Sequence, residues 1–182
     1  MKLTKYEHAC FTLEKDGKLL VIDPGSYTTN LGSPANVVAI VVTHDHGDHF
    51  SPDTLTAIYN KNPDSLLISL PNIVAKMSDH PSRTVNSGDT ISAGPFKLKF
   101  SGGQHAVIHD SLPTIENIAV MIDDTVFYPG DSFTIPDDPV TVLALPVAAP
   151  WMKISEAIDY FVDVKPKIAF PTHDAILSQT GQ

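Results

Sequence analysis

The sequence predicts an α/β (α+β) fold, an αβ/βα sandwich in which two mixed β-sheets are flanked by helices. Predicted strands and helices follow one another in the order β-rich, βαβα, β-rich, βαβ, which indicates two similar halves. The chain also contains 15 prolines, and this frequency favours many short elements joined by turns over a helical bundle. The length of 182 residues fits a single domain over residues 1–182.

Five strands and two helices are predicted in the first half of the chain. The strands are KLTKY (2–6), ACFTLEK (9–15), KLLVID (18–23), Val37–Thr43 and Ser65–Leu70, and the helices run from Ser51 to about Asn60 and from Pro71 to about Asp79. Asp16-Gly17 is a hairpin turn signal, and Ser51-Pro52 is typical of an N-cap followed by proline at the first helical position. Val37–Thr43 lacks polar alternation, as expected for a strand buried on both faces.

The second half is predicted to contain six strands and one helix. The strands are TVNS (84–87), FKLKFSG (96–102), NIAVMID (117–123), TVFYPGD (125–131), Val140–Leu145 and Lys167–Thr172. The helix runs from Ser155 to about Val164 and ends before Lys165-Pro166. Its predicted apolar face consists of Ala157, Ile158, Phe161 and Val162.

Composition limits the classes of function. Lys plus Arg number 12 and Asp plus Glu 21, so the formal net charge is −9, and a chain with the single arginine Arg83 is poorly suited to binding nucleic acid or anionic lipid. The single cysteine, Cys10, excludes an internal disulfide and a multi-cysteine zinc site. The charged start lacks the apolar stretch of a signal peptide. We therefore expect a cytoplasmic protein with a small-molecule substrate and no nucleic-acid or membrane partner; a homo-oligomer is compatible with this composition.

Three imidazoles and two carboxylates lie within six residues directly after the buried run Val37–Thr43. The segment reads His44-Asp45-His46-Gly47-Asp48-His49. The i, i+2 spacing of His44 and His46 lets both face one metal ion, while Asp48 and His49 lie far enough along the turn to face a second. A solvated loop commonly contains one histidine, but this density predicts a metal site.

Three later residues with metal-binding side chains also lie at strand ends. His105 follows FKLKFSG, Asp131 ends TVFYPGD, and His173 follows the last predicted strand. Capping, core burial or solvation would explain each alone, but together they supply the His, Asp and His that a pair of divalent ions needs. His109 competes with His105 for the ligand role, and the position of His105 nearer the strand end favours His105.

The segment THDHGDH (43–49) fits the HxHxDH signature of the metallo-β-lactamase superfamily without a gap, and the chain resembles this superfamily over nearly its whole length. The opening YEHACFTLEKDGKLLVIDPG and the closing LPVAAPWMKISEAIDYFVDVKPKIAFPTHD look like the branch that holds ascorbate-6-phosphate lactonase and related small hydrolases. The resemblance implies the metallo-β-lactamase fold. Relatives usually continue with more structure after the last histidine, so we expect a fragment or a short form.

The resemblance also implies a site for two divalent ions. The implied ligands are His44, His46 and His105 for metal 1, Asp48, His49 and His173 for metal 2, and Asp131 as the bridge. Nitrogen and oxygen ligands suit Zn²⁺, with Mn²⁺ or Fe²⁺ as alternatives. Asp131 stands where antibiotic-hydrolysing zinc enzymes of the superfamily typically use cysteine, which argues against a true β-lactamase.

The predicted function is metal-dependent hydrolysis, in which a metal-bridging hydroxide attacks a small ester, lactone or phosphoester. Asp48 and Asp131 are the predicted catalytic residues, because they would orient the nucleophile. Three other classes stay open: a phosphodiesterase or nuclease of the same superfamily, a diiron protein that reduces dioxygen or NO, and a non-catalytic, metal-stabilised binding module.

Three further residues are candidates for supporting the ligands or contacting the substrate. His8 lies in a Glu-His-Ala-Cys run where related hydrolases often carry Gly-His-Ala or Gly-His-Ser. Asp23 ends the third strand, where it either orients the histidine turn or caps the turn at Pro24-Gly25. Trp151 follows a core strand, where it either lines the substrate cleft or belongs to the core.

Overall fold

The computed structural model describes residues 1–178 and 180–181, and its strands form two six-stranded sheets. The first sheet contains β1 (Lys2–Lys5), β2 (Phe11–Lys15), β3 (Lys18–Ile22), β4 (Val37–Val41), β5 (Leu66–Ser69) and β6 (Ser82–Thr84). The second contains β7 (Thr90–Ala93), β8 (Phe96–Gln104), β9 (Glu116–Ile122), β10 (Val126–Tyr128), β11 (Val142–Pro146) and β12 (Ile168–Thr172). The three helices are α1 (Pro52–Tyr59), α2 (Pro71–Lys76) and α3 (Ile154–Val164).

Both sheets are mixed, and in each the strands lie side by side in sequence order. In the first sheet β1, β2 and β3 pair antiparallel, and β3 to β6 pair parallel. In the second sheet β7 to β10 pair antiparallel, and β10 to β12 pair parallel. This architecture confirms the predicted sandwich of two mixed sheets.

Apolar side chains form three layers of core. The central layer lies between the sheets and includes Phe11 and Val41 from the first sheet and Phe100 and Val120 from the second. Outside it, α1 and α2 pack on the first sheet, and α3 packs on the second. The outer cores include Leu55, Ile58 and Ile73 with Ile40 on one side, and Tyr160 with Met121, Phe127 and Leu143 on the other. None of the helices that the structure describes is long and apolar enough to cross a membrane.

Local signals place α1 where the sequence predicts it. Ser51 has an extended backbone, and its side chain accepts a hydrogen bond from the backbone N–H of Thr54. Pro52 occupies the start of the helix, where its missing N–H has no helical partner to lose. This helix directly follows the histidine-rich turn.

The largest differences from the prediction are one displaced strand, one strand that was not predicted and one helix that ends early. The strand predicted over TVNS is instead β6, Ser82–Thr84, because Asn86 begins a turn that leads to Gly88, whose φ is +93°. Strand β7 was not predicted; it pairs with β8 through a tight turn at Gly94. Helix α2 ends at Lys76 because Met77 leaves helical geometry at φ −122°, ψ 35°.

The buried face of α3 also differs from the prediction. Ala157 and Tyr160 are buried against the second sheet, whereas Ile158, Phe161 and Val162 are exposed. Positions 157 and 160 lie three residues apart on one face of the helix, which gives a narrow stripe of contact. Of the four residues predicted to form the buried apolar face of α3, only Ala157 is buried.

Candidate metal centre

The candidate site lies where loops from both sheets meet. The turn 44–49 follows β4, His105 follows β8 directly, Asp131 lies three residues beyond β10, and His173 follows β12 directly. The histidine turn is joined to the second sheet by a bridge between His44 and Asn117 and by a 2.9 Å hydrogen bond from the backbone N–H of Ile118 to the carbonyl of Thr43. Residues far apart in sequence thus reach one place.

All seven predicted metal ligands fall into two adjacent groups. In each group the ligand atoms lie within 4.8 Å of one another. The first group is His44, His46, His105 and Asp131, and the second is His8, Asp48, His49 and His173. The structure thus brings together the residues of the implied metal 1 and metal 2 sites separately, and it adds His8 to the second group.

Asp131 lies between the two groups. Its Oδ2 atom is 3.4 Å from Nε2 of His105 in the first group and 3.1 Å from Nε2 of His173 in the second. Its Oδ1 atom is 3.2 Å from Nε2 of His49. A carboxylate in this position can contact ions on both sides, which is the place that the implied bridge requires.

Four of the histidine rings are held by contacts at Nδ1, and their Nε2 atoms face the centre of the site. The Nδ1 atoms contact protein oxygens: Thr43 Oγ1 for His44 (3.0 Å), Asp23 Oδ2 for His49 (2.8 Å), the Ala106 carbonyl for His105 (2.5 Å) and the Ala148 carbonyl for His173 (2.6 Å). Within the described residues, the buried Nε2 atoms of His44, His49 and His105 form no hydrogen bond. This is the arrangement of metal-binding histidines, whose outer nitrogen is fixed by a neighbouring group.

Asp48 is held by two histidines of the second group. Its Oδ2 atom lies 2.9 Å from Nε2 of His8 and 3.3 Å from Nε2 of His173. The His8 side chain is fully buried, and its backbone has a φ of +58°, which is uncommon outside glycine. His8 therefore contacts a predicted ligand, and it is itself close enough to the other ligand atoms to be one.

A match to a family model adds independent evidence. The model is described as a β-lactamase superfamily domain, and it matches residues 2–173. The chain belongs to the metallo-β-lactamase superfamily. The matched range includes every predicted ligand, and the superfamily assignment made from the histidine signature is confirmed.

Relatives of this metallo-β-lactamase superfamily member share most of its length. Protein Rv0786c of Mycobacterium tuberculosis is 38% identical over 183 residues, which cover 98% of this chain and 86% of the relative. A protein named UPF0173 metal-dependent hydrolase from Archaeoglobus fulgidus is 30% identical over 196 residues, covering 95% and 83%. The chain is thus a superfamily member of the metal-dependent hydrolase type. Its resemblance to the lactonase branch stays a prediction.

Solved structures show the same fold at low identity. Igni18, described as a novel metallo hydrolase from Ignicoccus hospitalis, superposes with a TM-score of 0.71 at 20% identity, covering 94% of this chain and 81% of that one. At this identity the likeness establishes the metallo-β-lactamase fold of this superfamily member and nothing finer.

At the centre of this superfamily site, burial and neighbouring charges shift the pKa values of two histidines and of the central carboxylate. Burial lowers the pKa of His44 well below its ordinary value, and the nearby His49 lowers it further. Burial also opposes the charged form of His49, but the carboxylates of Asp131 and Asp23 raise its pKa well above the ordinary value. Burial opposes the charge of Asp131, yet contacts with His49, His105 and His173 hold the pKa of Asp131 well below its usual range. The central carboxylate is thus ionised and attracts positive charge.

The three supporting candidates all lie at the superfamily site. Asp23 is fully buried and its side chain contacts His49, so it orients the histidine turn; its backbone carbonyl also accepts a 2.9 Å hydrogen bond from the backbone N–H of Gly25 in the Pro24-Gly25 turn. The indole N–H of Trp151 donates a 3.0 Å hydrogen bond to Oδ2 of Asp131. His8 contacts Asp48, as described above.

Several other polar residues lie apart from the two groups. His109 is exposed and contacts Ser111 through its Nδ1, so the structure places His105 and not His109 among the ligand atoms. His80 stacks on Tyr59 with ring centroids 3.9 Å apart. Asp45 forms an ion pair with Lys76, although it lies inside the histidine turn. Cys10 is buried, and burial raises the pKa of its thiol.

Sequence reasoning missed Asn117 and Gly25, which shape the superfamily site through the backbone. Asn117 is fully buried; its amide donates to the carbonyl of Pro129 (2.9 Å) and its Oδ1 accepts from the backbone N–H of Asp131 (3.0 Å). Gly25 lies so close to the turn that an added Cβ would be 1.9 Å from the carbonyl oxygen of Asp48. The only sequence signals were a polar residue at the start of an apolar strand and the glycine of a Pro-Gly turn.

Proposed function

We propose that this protein is a dinuclear, zinc-dependent hydrolase that cleaves a small ester, lactone or phosphoester. One observation supports the proposal above all others. Two adjacent groups of inward-facing ligand atoms share the buried carboxylate of Asp131, which lies 3.1–3.4 Å from a histidine Nε2 of each.

The chemistry of the donor set fits divalent cations. Five of the seven implied ligands are histidines and two are aspartates, so the donor atoms are nitrogen and oxygen, which suit Zn²⁺ and also Mn²⁺ or Fe²⁺. The buried Nε2 atoms of His44, His49 and His105 lack hydrogen-bond partners among the described residues. Leaving such atoms unsatisfied costs about 1–3 kcal/mol each, and a bound cation would remove that cost.

Two divalent ions would lower the pKa of a bound water toward about 7 and polarise the bond to be cleaved. The chain's own contribution is orientation. Burial opposes the charge of Asp48, but contacts with His173 and His8 hold its pKa far below the usual range. Both Asp48 and Asp131 therefore stay ionised, which suits them to binding cations and aligning the attacking water better than to storing its proton.

The accessibility of the two carboxylates differs. The Asp48 side chain is 22% exposed and the Asp131 side chain 3%. Asp48 is therefore the carboxylate that a substrate and the attacking water can approach from solvent, whereas Asp131 is buried below it. This difference supports a role for Asp48 in positioning the nucleophile and for Asp131 mainly in holding the two groups together.

The test combines metal analysis with an activity screen. Elemental analysis of protein purified without chelator should find close to two divalent ions per chain, and hydrolysis of generic esters, lactones or phosphodiesters should require them. His105→Ala should lose metal and activity, whereas the matched control His109→Ala should keep both, because His109 lies outside the two groups.

Two other outcomes would contradict the proposed function. Protein that contains no metal and takes up none would overturn the dinuclear proposal. Protein that binds two ions but hydrolyses none of these substrates would favour a non-catalytic, metal-stabilised module.

A further inference from the structure

We propose that Trp151 is a positioning residue that fixes the carboxylate of Asp131 for metal binding. The inference rests on the proposed function, because it concerns how the chain holds the bridging ligand. Trp151 lies in the loop between β11 and α3 and is 8% exposed. It is the only tryptophan of the chain.

The indole reaches the centre of the site through one hydrogen bond. Its Nε1–H donates to Oδ2 of Asp131 over 3.0 Å. The same Oδ2 atom faces Nε2 of His105 at 3.4 Å and Nε2 of His173 at 3.1 Å. The hydrogen bond therefore acts on the oxygen that lies between the two groups.

The indole ring also contacts one histidine from each group. Its centroid is 5.9 Å from that of His105 and 6.3 Å from that of His173, and both pairs meet at 76°. On another side, Phe133 lies 5.3 Å away and itself packs 5.2 Å from Tyr160 of α3. The ring is thus held by packing that continues into the core beneath α3, which gives the N–H a fixed direction.

The chemistry of indole restricts what Trp151 can do. An indole has a hydrogen-bond donor and no acceptor, so it neither binds a cation through nitrogen nor accepts a proton from water. The backbone N–H of Asp131 is held by Asn117, which fixes the main chain but not the rotation of the side chain. The histidine Nε2 atoms that now face the carboxylate would turn to the metal ions, so they are not lasting donors to it. The indole N–H supplies the missing restraint, so both oxygens keep facing their histidines.

The first test removes the N–H and keeps the aromatic ring. We expect Trp151→Phe to bind Zn²⁺ about 10–100-fold more weakly at one of the two sites, as is usual when a group that orients a metal ligand is lost. Zinc affinity would be measured by competition with a chromophoric chelator, alongside circular dichroism and thermal melting. This readout does not depend on catalytic activity.

Tyr160→Phe is a matched control. Tyr160 belongs to the same aromatic cluster, and its hydroxyl donates a hydrogen bond to the carbonyl of Thr134. Both variants therefore remove one donor from the cluster, and both are expected to lower stability slightly. Only Trp151→Phe should change zinc affinity, because Tyr160 does not contact Asp131 directly.

A second measurement uses the single indole and does not depend on how a Trp151 variant folds. The wild-type protein should give one indole N–H resonance in a ¹⁵N correlation spectrum, which shifts when Zn²⁺ is added. In the Asp131→Asn variant the indole N–H resonance should move upfield, because a neutral amide is a weaker hydrogen-bond acceptor than a carboxylate.

The outcomes separate this inference from the proposed function. Wild-type protein that binds no Zn²⁺ would overturn both. Wild-type protein that binds two ions, with Trp151→Phe equally tight or an indole resonance unmoved by Asp131→Asn, would overturn the role of Trp151 alone.

Discussion

The Nδ1 atom of His49 lies 2.8 Å from Oδ2 of Asp23, and both side chains are fully buried. Asp23 also accepts hydrogen bonds from the backbone N–H of Thr43 (2.8 Å), the Thr43 hydroxyl (2.6 Å) and the Tyr128 hydroxyl (2.9 Å). One carboxylate thus joins the end of β3, the histidine turn and β10 of the second sheet. It sets the direction in which the Nε2 atom of His49 points.

We expect Asp23→Asn to lower zinc affinity about 10–100-fold and to reduce the free energy of unfolding by about 1–3 kcal/mol. The asparagine amide keeps the shape of the carboxylate but has only one acceptor oxygen, whereas the hydrogen-bond donors around Asp23 use both of its carboxylate oxygens. Zinc titration and urea unfolding in chelator would measure the two effects.

Tyr128→Phe is the control for Asp23. It removes one of the four donors and a longer 3.3 Å contact between the Tyr128 hydroxyl and Nδ1 of His49, but it leaves the 2.8 Å contact between Asp23 and His49 in place. Its zinc affinity should stay within a few-fold of the wild type. Wild-type zinc affinity in Asp23→Asn would show that the Asp23 contact does not orient His49.

Gly25→Ala should disturb the histidine turn directly. The new Cβ would lie 1.9 Å from the carbonyl oxygen of Asp48 and 2.4 Å from the backbone nitrogen of His49. Because backbone must move to relieve this overlap, we expect a loss of about 1–3 kcal/mol or more in stability and a lower metal content. Thermal melting and elemental analysis would report both.

Gly47→Ala is the matched control, since Gly47 lies in the same turn and its added Cβ would meet nothing within 4 Å. Its stability should change by no more than about 0.5 kcal/mol. Equal effects of the two alanines would mean that the turn tolerates displacement and that Gly25 has no special role.

Asp131→Asn separates a two-metal site from a simpler one. In a mononuclear site whose ion is bound by His44, His46 and His105 but not by Asp131, the substitution would cost little. In a dinuclear site it removes the anion between two dications, so we expect loss of one metal and at least 100-fold in activity, about 2.7 kcal/mol of transition-state stabilisation. Metal content and turnover should be measured on the same preparation.

Asp45→Asn provides the comparison for Asp131. Asp45 lies within the histidine turn but forms an ion pair with Lys76 on α2. We expect it to retain two metals and near-normal turnover. If Asp131→Asn did the same, the bridge would have been assigned to the wrong residue.

Chelation should lower the melting temperature. Ions that bind only the native state stabilise it by about 2.7 kcal/mol at a hundredfold excess over their dissociation constant. For a chain of this size that corresponds to roughly 5–10 °C. Adding Zn²⁺ back should restore the original melting curve; a curve unchanged after elemental analysis has verified metal removal would show that the histidines do not jointly hold an ion.

The superfamily and the sandwich fold could be predicted because their signals are local. His44, His46, Asp48 and His49 lie within six residues after an apolar run, so their density indicated a metal site, and their resemblance to the HxHxDH signature indicated the superfamily. The positions of His105, Asp131 and His173 at strand ends also followed from local patterns, and the structure brings all of these side chains together.

The missed features depend on contacts between distant parts of the chain. Nothing near Asn117 in sequence shows that its side chain holds the backbone of Asp131, and nothing near Gly25 shows that Asp48 passes against it. The buried face of α3 was misjudged for the same reason. Helical periodicity locates apolar residues such as Ile158 and Phe161 but does not show how wide a stripe the sheet covers.

The sequential strand order has a consequence for how the protein is made. Each strand pairs with its neighbours along the chain, so the pairings within either sheet need no contact between strands that are distant in sequence order. The ligand-bearing turns come from both sheets, and the backbone N–H of His173 donates to the carbonyl of His8 near the opposite end of the chain. During synthesis the second group therefore stays incomplete until residue 173 has left the ribosome and the sheets have docked. Metal uptake would mark the end of folding, whereas the strand signal in circular dichroism would mark its beginning.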